Sequence, residues 1–93
     1  MQIRDFEQAR LAVVPFVNGR TIDNVEAMGY ETSSLFYIPP LDGDRHEGRP
    51  GWVVDKETGH VRAVTIRDAD EIAAVMTDPA TLQVSAALAS KAA

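Results

Sequence analysis

The stretch from Trp52 to Ile66, Trp-Val-Val-Asp-Lys-Glu-Thr-Gly-His-Val-Arg-Ala-Val-Thr-Ile, constrains this chain more tightly than any other. Two runs rich in β-branched residues flank a five-residue polar loop that closes on glycine, which is the pattern of a β-hairpin. Gly59 is expected in the left-handed conformation that ends a type I turn, where a β-carbon costs about 1 kcal/mol. Asp55 and Lys56 open the same turn, so Asp55, Lys56 and Gly59 read as structural residues. Pairing Val54 with Val61 sets Trp52 opposite Ala63 on one face and leaves Val53, Val64 and Ile66 to the other. Both faces are therefore apolar. Helices can cover one, and the other calls for more chain or a partner.

The remaining segments supply that cover. Ile3, Phe6, Ala9 and Val13 recur at helical spacing, which predicts a helix from residue 3 to about 14. Pro15 ends or kinks it, and Asn18-Gly19 makes a turn. A strand is expected over 21–28 and another over 31–38, stopped by Pro39-Pro40. Residues 39–51 hold three of the five prolines and three of the six glycines, as a long surface loop does. Asp68 or Asp70 caps a short helix through Met76, with Ile72, Val75 and Met76 buried. Asp78-Pro79 repeats that signal and predicts a last helix from 79 to about 90, burying Leu82 and Leu88.

Ninety-three residues suffice for a single domain, 1–93, and not for two. The pattern reads as an α+β domain: a small antiparallel sheet of three to four strands around the central 52–66 hairpin, with N-terminal and C-terminal helices packed on one face. A core this small leaves a second apolar face with few elements to cover it, so a homodimer is expected. The first 15 residues lack the uninterrupted apolar run of a signal peptide, and the default location is the cytoplasm.

Charge narrows the partner. Between residues 23 and 57 eight acids face three bases, and this excess accounts for the whole net charge of -5. Phosphate backbones are repelled by such a field, which argues against nucleic acid, while a basic protein is attracted. No membrane span is present. Asp42, Asp44, His46 and Glu47 crowd possible ligands together, but their spacing fails the EF-hand pattern and Arg45 and Arg49 oppose a dication. Absent cysteines remove thiol chemistry and cysteine zinc sites. Asp55 and His60 close the hairpin loop without implying a nucleophile, since Ser33 and Ser34 do not lie at a strand-to-helix elbow. No catalytic residue, cofactor or metal is expected.

The stretch from Gly48 to Ile66 resembles the core motif of the immunity protein 35 family, which includes the YrhB-like proteins. There a glycine and proline precede a short apolar run, followed by Asp-Lys-x-Thr/Ser-Gly, a polar residue and an aliphatic one. Trp52, Val53, Val54, Asp55, Lys56, Thr58, Gly59 and Val61 match position for position, whereas Gly51 stands where the family has proline. The resemblance implies a cytoplasmic protein that binds and neutralises a toxin of a bacterial polymorphic toxin system, with no catalytic residue to carry over. Alternatives from other classes are a small regulatory or phage-encoded protein that inhibits a host factor, and a structural subunit of a homo-oligomer. For partner binding the natural contacts are the acidic residues Asp42, Asp44 and Glu47 with the aromatic residues Tyr37 and Trp52.

Overall fold

The computed structural model describes residues 2–40 and 51–85. Helix α1 (Phe6–Val13) starts where the Asp5 carboxylate accepts the Gln8 amide at 2.8 Å, and the Gln8 side chain in turn accepts the Arg4 amide at 2.7 Å. Phe6, Ala9 and Val13 form its buried stripe, as the spacing required. Pro15 does not extend the helix. It sits in a 3-10 turn (Val14–Phe16), and two more 3-10 turns (Asn18–Arg20 and Ile22–Asn24) occupy most of the stretch expected as a strand over 21–28.

The strands are β1 (Met28–Glu31), β2 (Leu35–Ile38), β3 (Trp52–Asp55), β4 (Val61–Ala63) and β5 (Leu82–Ser85), paired antiparallel in the order β4-β3-β2-β1-β5. The domain is thus α+β with a five-stranded sheet, where three to four strands were expected. Of the strand expected over 31–38, Leu35–Ile38 forms β2, and a turn over 32–34 separates it from Glu31, the last residue of β1. Thr32 makes that turn: its hydroxyl accepts the Ser34 and Leu35 amides at 3.2 and 3.1 Å, and its own amide donates to the Leu35 carbonyl at 2.9 Å. In the 52–66 hairpin Val54 pairs with Val61 and Trp52 with Ala63, as read from the sequence, and Gly59 has φ +77°.

The fifth strand replaces the helix expected from residue 79. Asp78 does act as a cap, accepting the Ala80 amide on its side chain at 2.9 Å and the Thr81 amide on its carbonyl at 3.0 Å, but the result is a turn. Leu82, expected to be buried, is 60% exposed. The predicted positions beyond Ser85, Leu88 among them, lie outside the described residues. Between β4 and β5 comes helix α2 (Ala69–Thr77). Because β4 and β5 run parallel at opposite edges, that connection has to cross about 19 Å of sheet, four strand spacings, of which nine helical residues span about 14 Å.

Register assigns the two helices to opposite faces, which corrects the expectation that both pack on one. Phe36, Ile38, Val54 and Trp52 share the face covered by α1, where they join Ile3, Phe6, Ala9, Val13 and Val25 in the core. Val53 and Arg62 point the other way, and there α2 brings Glu71 against Arg62. Val53 is 5% exposed and Val75 of α2 8%. On this second apolar face of the hairpin Val53 is thus covered within the chain, while Val64 is half-buried. A one-residue slip would move Phe36, Ile38 and Val54 out of the core, each worth about 1.5–3 kcal/mol of burial, so the register is firmly held.

Two residues set how closely α1 approaches the sheet and the chain that follows it. A β-carbon on Gly29 would fall 2.6 Å from both the Phe6 ring and the Tyr37 carbonyl oxygen, so only glycine lets the helix sit where it does. Arg10 of α1 donates to the carbonyls of Ile22, Val25 and Glu26 at 3.2, 2.9 and 3.0 Å. It ties the turns that follow the helix back onto it.

Candidate functional site

The turn residues carry out the work expected of them, and one does more. The Asp55 carboxylate accepts the Glu57 and Thr58 amides at 2.8 and 2.9 Å, while the Gly59 amide donates to the Asp55 carbonyl at 2.9 Å. These donors, the Thr58 amide first, hold the Asp55 carboxyl below the usual aspartate range. Lys56 reaches past the turn. Its ammonium lies 2.6 Å from Glu31 and 5.0 Å above the Phe36 ring, and its carbonyl accepts the Ile3 amide at 2.8 Å, which ties the hairpin to the N-terminus.

A cleft of about 190 Å³ opens beside α2, lined by Ser34, Leu35, Val53, Asp55, His60, Arg62 and Glu71. It brings Ser34, Asp55 and His60 to one place, but the Asp55 Oδ1 is taken by the turn and the Ser34 hydroxyl lies 3.4 Å from that of Thr32. Arg62 donates to Asp68 at 2.8 Å and to Glu71 at 2.7 Å. Asp68 precedes α2 as expected, yet its carboxylate turns back to the Thr65 amide and hydroxyl at 2.8 and 3.1 Å. The Thr65 amide is the main reason its carboxyl also stands below the usual range. Among the described residues no group of three or more histidines and acids is arranged to hold a metal ion.

The expected partner contacts separate. Trp52 is on the α1 face and Tyr37 on the α2 face, since Ile38 pairs with Trp52 and Tyr37 with Val53. Tyr37 is half-buried and stacks on Tyr30 at 6.2 Å between ring centroids; burial, with Tyr30 adding to it, holds its hydroxyl above the ordinary tyrosine value. Trp52 instead carries the Phe16 ring at 6.0 Å, and Phe16 is 59% exposed. Asp42, Asp44 and Glu47 lie outside the described residues. Their segment joins the sheet between Pro40 and Gly51, which follow β2 and precede β3 at the end carrying Trp52.

Phe16 is the surface residue that sequence reasoning missed. Counted along the stripe of Phe6, Ala9 and Val13 it continues the buried series, and only the tighter 3-10 turn imposed around Pro15 rotates it outward onto Trp52. A helix ending in proline with an aromatic residue just beyond was the available signal. Among the described residues no helix is long and apolar enough to cross a membrane.

Comparison with protein-family models, with curated proteins and with solved structures finds no match.

Proposed function

We propose that this chain is a non-enzymatic domain that binds and blocks a basic protein, as a toxin-immunity protein does. The observation that carries the reading is the exposed Phe16 ring seated on Trp52, at the sheet end from which the acidic 41–50 segment leaves. Binding energy concentrates in a few aromatic anchors, and acidic residues around them steer a basic partner and fix its orientation. Tyr37, on the other face, is no part of this surface. Inhibition is by occlusion: the anchor covers the partner's working surface and the carboxylates of Asp42, Asp44 and Glu47 occupy its cations. The resemblance of residues 48–66 to the immunity protein 35 family points the same way, towards a cytoplasmic inhibitor of a toxin.

The test is affinity capture from cells of the source, comparing the wild-type chain with Phe16→Ser. Phe16 is largely exposed, so the variant keeps its fold. Retention of a basic protein by the wild type and its loss with Phe16→Ser supports the proposal. Equal retention by both moves the interface elsewhere.

A further inference from the structure

The exposed Phe16 ring is carried on a stretch of chain with little burial of its own. Of residues 14–26, Val25 alone is buried among those described, while Val14, Val17 and Ile22 lean on the core and stay partly exposed. The amides of Val17, Arg20, Asn24 and Val25 donate to the carbonyls of Val14, Val17, Thr21 and Ile22 at 3.1 to 3.3 Å. Each of these bonds reaches back three residues, so they shape the turns of this arm without fixing it to the sheet.

Contacts near its two ends fix it. At the near end Phe16 lies on Trp52, 6.0 Å between ring centroids. At the far end the guanidinium of Arg10, whose side chain is 11% exposed, gathers the carbonyls of Ile22, Val25 and Glu26. Between the two, Gly19 and Arg20 have φ of +72° and +48°. Arg20 carries a β-carbon, which disfavours that conformation, and a chain free at either end would relax out of it. The reversal at 19–20 is therefore held from both sides.

We infer that Arg10 is the positioning residue of the Phe16 anchor: by holding the far end of the arm it seats the ring on Trp52, and without it the ring leaves. The inference deepens the proposed function and rests on the role given there to Phe16. An anchor seated before encounter does not have to be ordered during binding, which strengthens association. The planar fork of a guanidinium presents its donors to three carbonyls at once, which a lysine in its place does not do.

Trp52 is the only tryptophan of the chain, so its quenching by acrylamide reports the seating with no partner present. The measurement is made where circular dichroism shows every variant folded. Phe16→Ser should raise the quenching constant about twofold, Arg10→Met should raise it as far, and the double variant should go no further, because both changes remove one contact. Arg10→Lys should fall between wild type and Arg10→Met. Gly29→Ala, which disturbs the packing of α1 at another place, should quench as wild type does. Wild-type quenching in both Arg10 variants, an additive double variant, or an equal rise in Gly29→Ala would each overturn the inference. Capture of the basic protein should weaken with Arg10→Met as with Phe16→Ser. If capture does not distinguish Phe16→Ser from wild type, the proposed function fails, and Trp52 quenching still decides whether Arg10 seats the ring.

Discussion

Replacing Arg10 with methionine keeps the aliphatic stem and removes the guanidinium that holds the 22–26 segment against α1. Three carbonyls lose a charged donor, those of Ile22, Val25 and Glu26, at 3.2, 2.9 and 3.0 Å. Each bond of this kind contributes about 1.5 kcal/mol, and carbonyls near the surface recover part of it from water, so the net cost is about 2–4 kcal/mol. The Glu7 partner at 3.3 Å adds little, since an exposed i,i+3 pair is worth a few tenths of a kcal/mol. For a domain of this size about 2–4 kcal/mol is a large share of total stability and lowers the melting temperature by about 10–25 °C. Arg10→Lys keeps the charge but not the fork, and recovers only a minor part. Glu7→Gln is the control and should melt within about 2 °C of wild type. Thermal unfolding followed by circular dichroism reads all three. An Arg10→Met variant that melts with the wild type would refute the assignment of Arg10 as the clamp.

Gly29→Ala should cost about 1–3 kcal/mol by urea unfolding, because the Phe6 ring can yield but the Tyr37 carbonyl cannot; no change would mean α1 does not pack so close. Asp55 and Asp68 have folded-state pKa values below their unfolded ones, so the stability they add is complete above the unfolded value and is lost as pH falls through that value toward the folded one. An Asp55→Asn, Asp68→Asn variant should therefore show a shallower loss of melting temperature below about pH 4 than wild type, and parallel curves would contradict this. In a spectrophotometric titration Tyr37 should ionise above the ordinary tyrosine value, and Tyr37→Phe should remove that late component.

What the sequence disclosed follows from the range of the forces involved. The register and turn of the hairpin were legible because alternation and turn chemistry are local: Asp55, Thr58 and Gly59 build the turn from their own neighbours, although the second strand stops at Ala63 and Ile66 begins a 3-10 turn instead of continuing the strand. Segment 79–85 shows the converse. Asp78-Pro79 and the alanines that follow favour a helix locally, yet pairing with β1 draws Leu82–Ser85 into the sheet and wins. Its alternation of apolar and polar residues was the sign of a strand. The role of Arg10 was not legible because its carbonyl partners lie 12 to 16 residues away. The placement of α2 opposite α1 was hidden for the same reason, since Arg62 meets Glu71 only through the tertiary fold. Phe16 required knowing how Pro15 rewinds the last turn of the helix.

The proposed function rests on the Phe16–Trp52 anchor acting together with the carboxylates of Asp42, Asp44 and Glu47, and the salt dependence of association with the captured partner tests it most directly. Stopped-flow mixing at low and high salt would compare wild type with Asp42→Lys, Asp44→Lys, Glu47→Lys. The account predicts slower association and a flattened salt dependence for the triple variant with an unchanged melting temperature, because partner-facing carboxylates steer encounter and add little to folding. Association rates and salt slopes equal to those of wild type would contradict it.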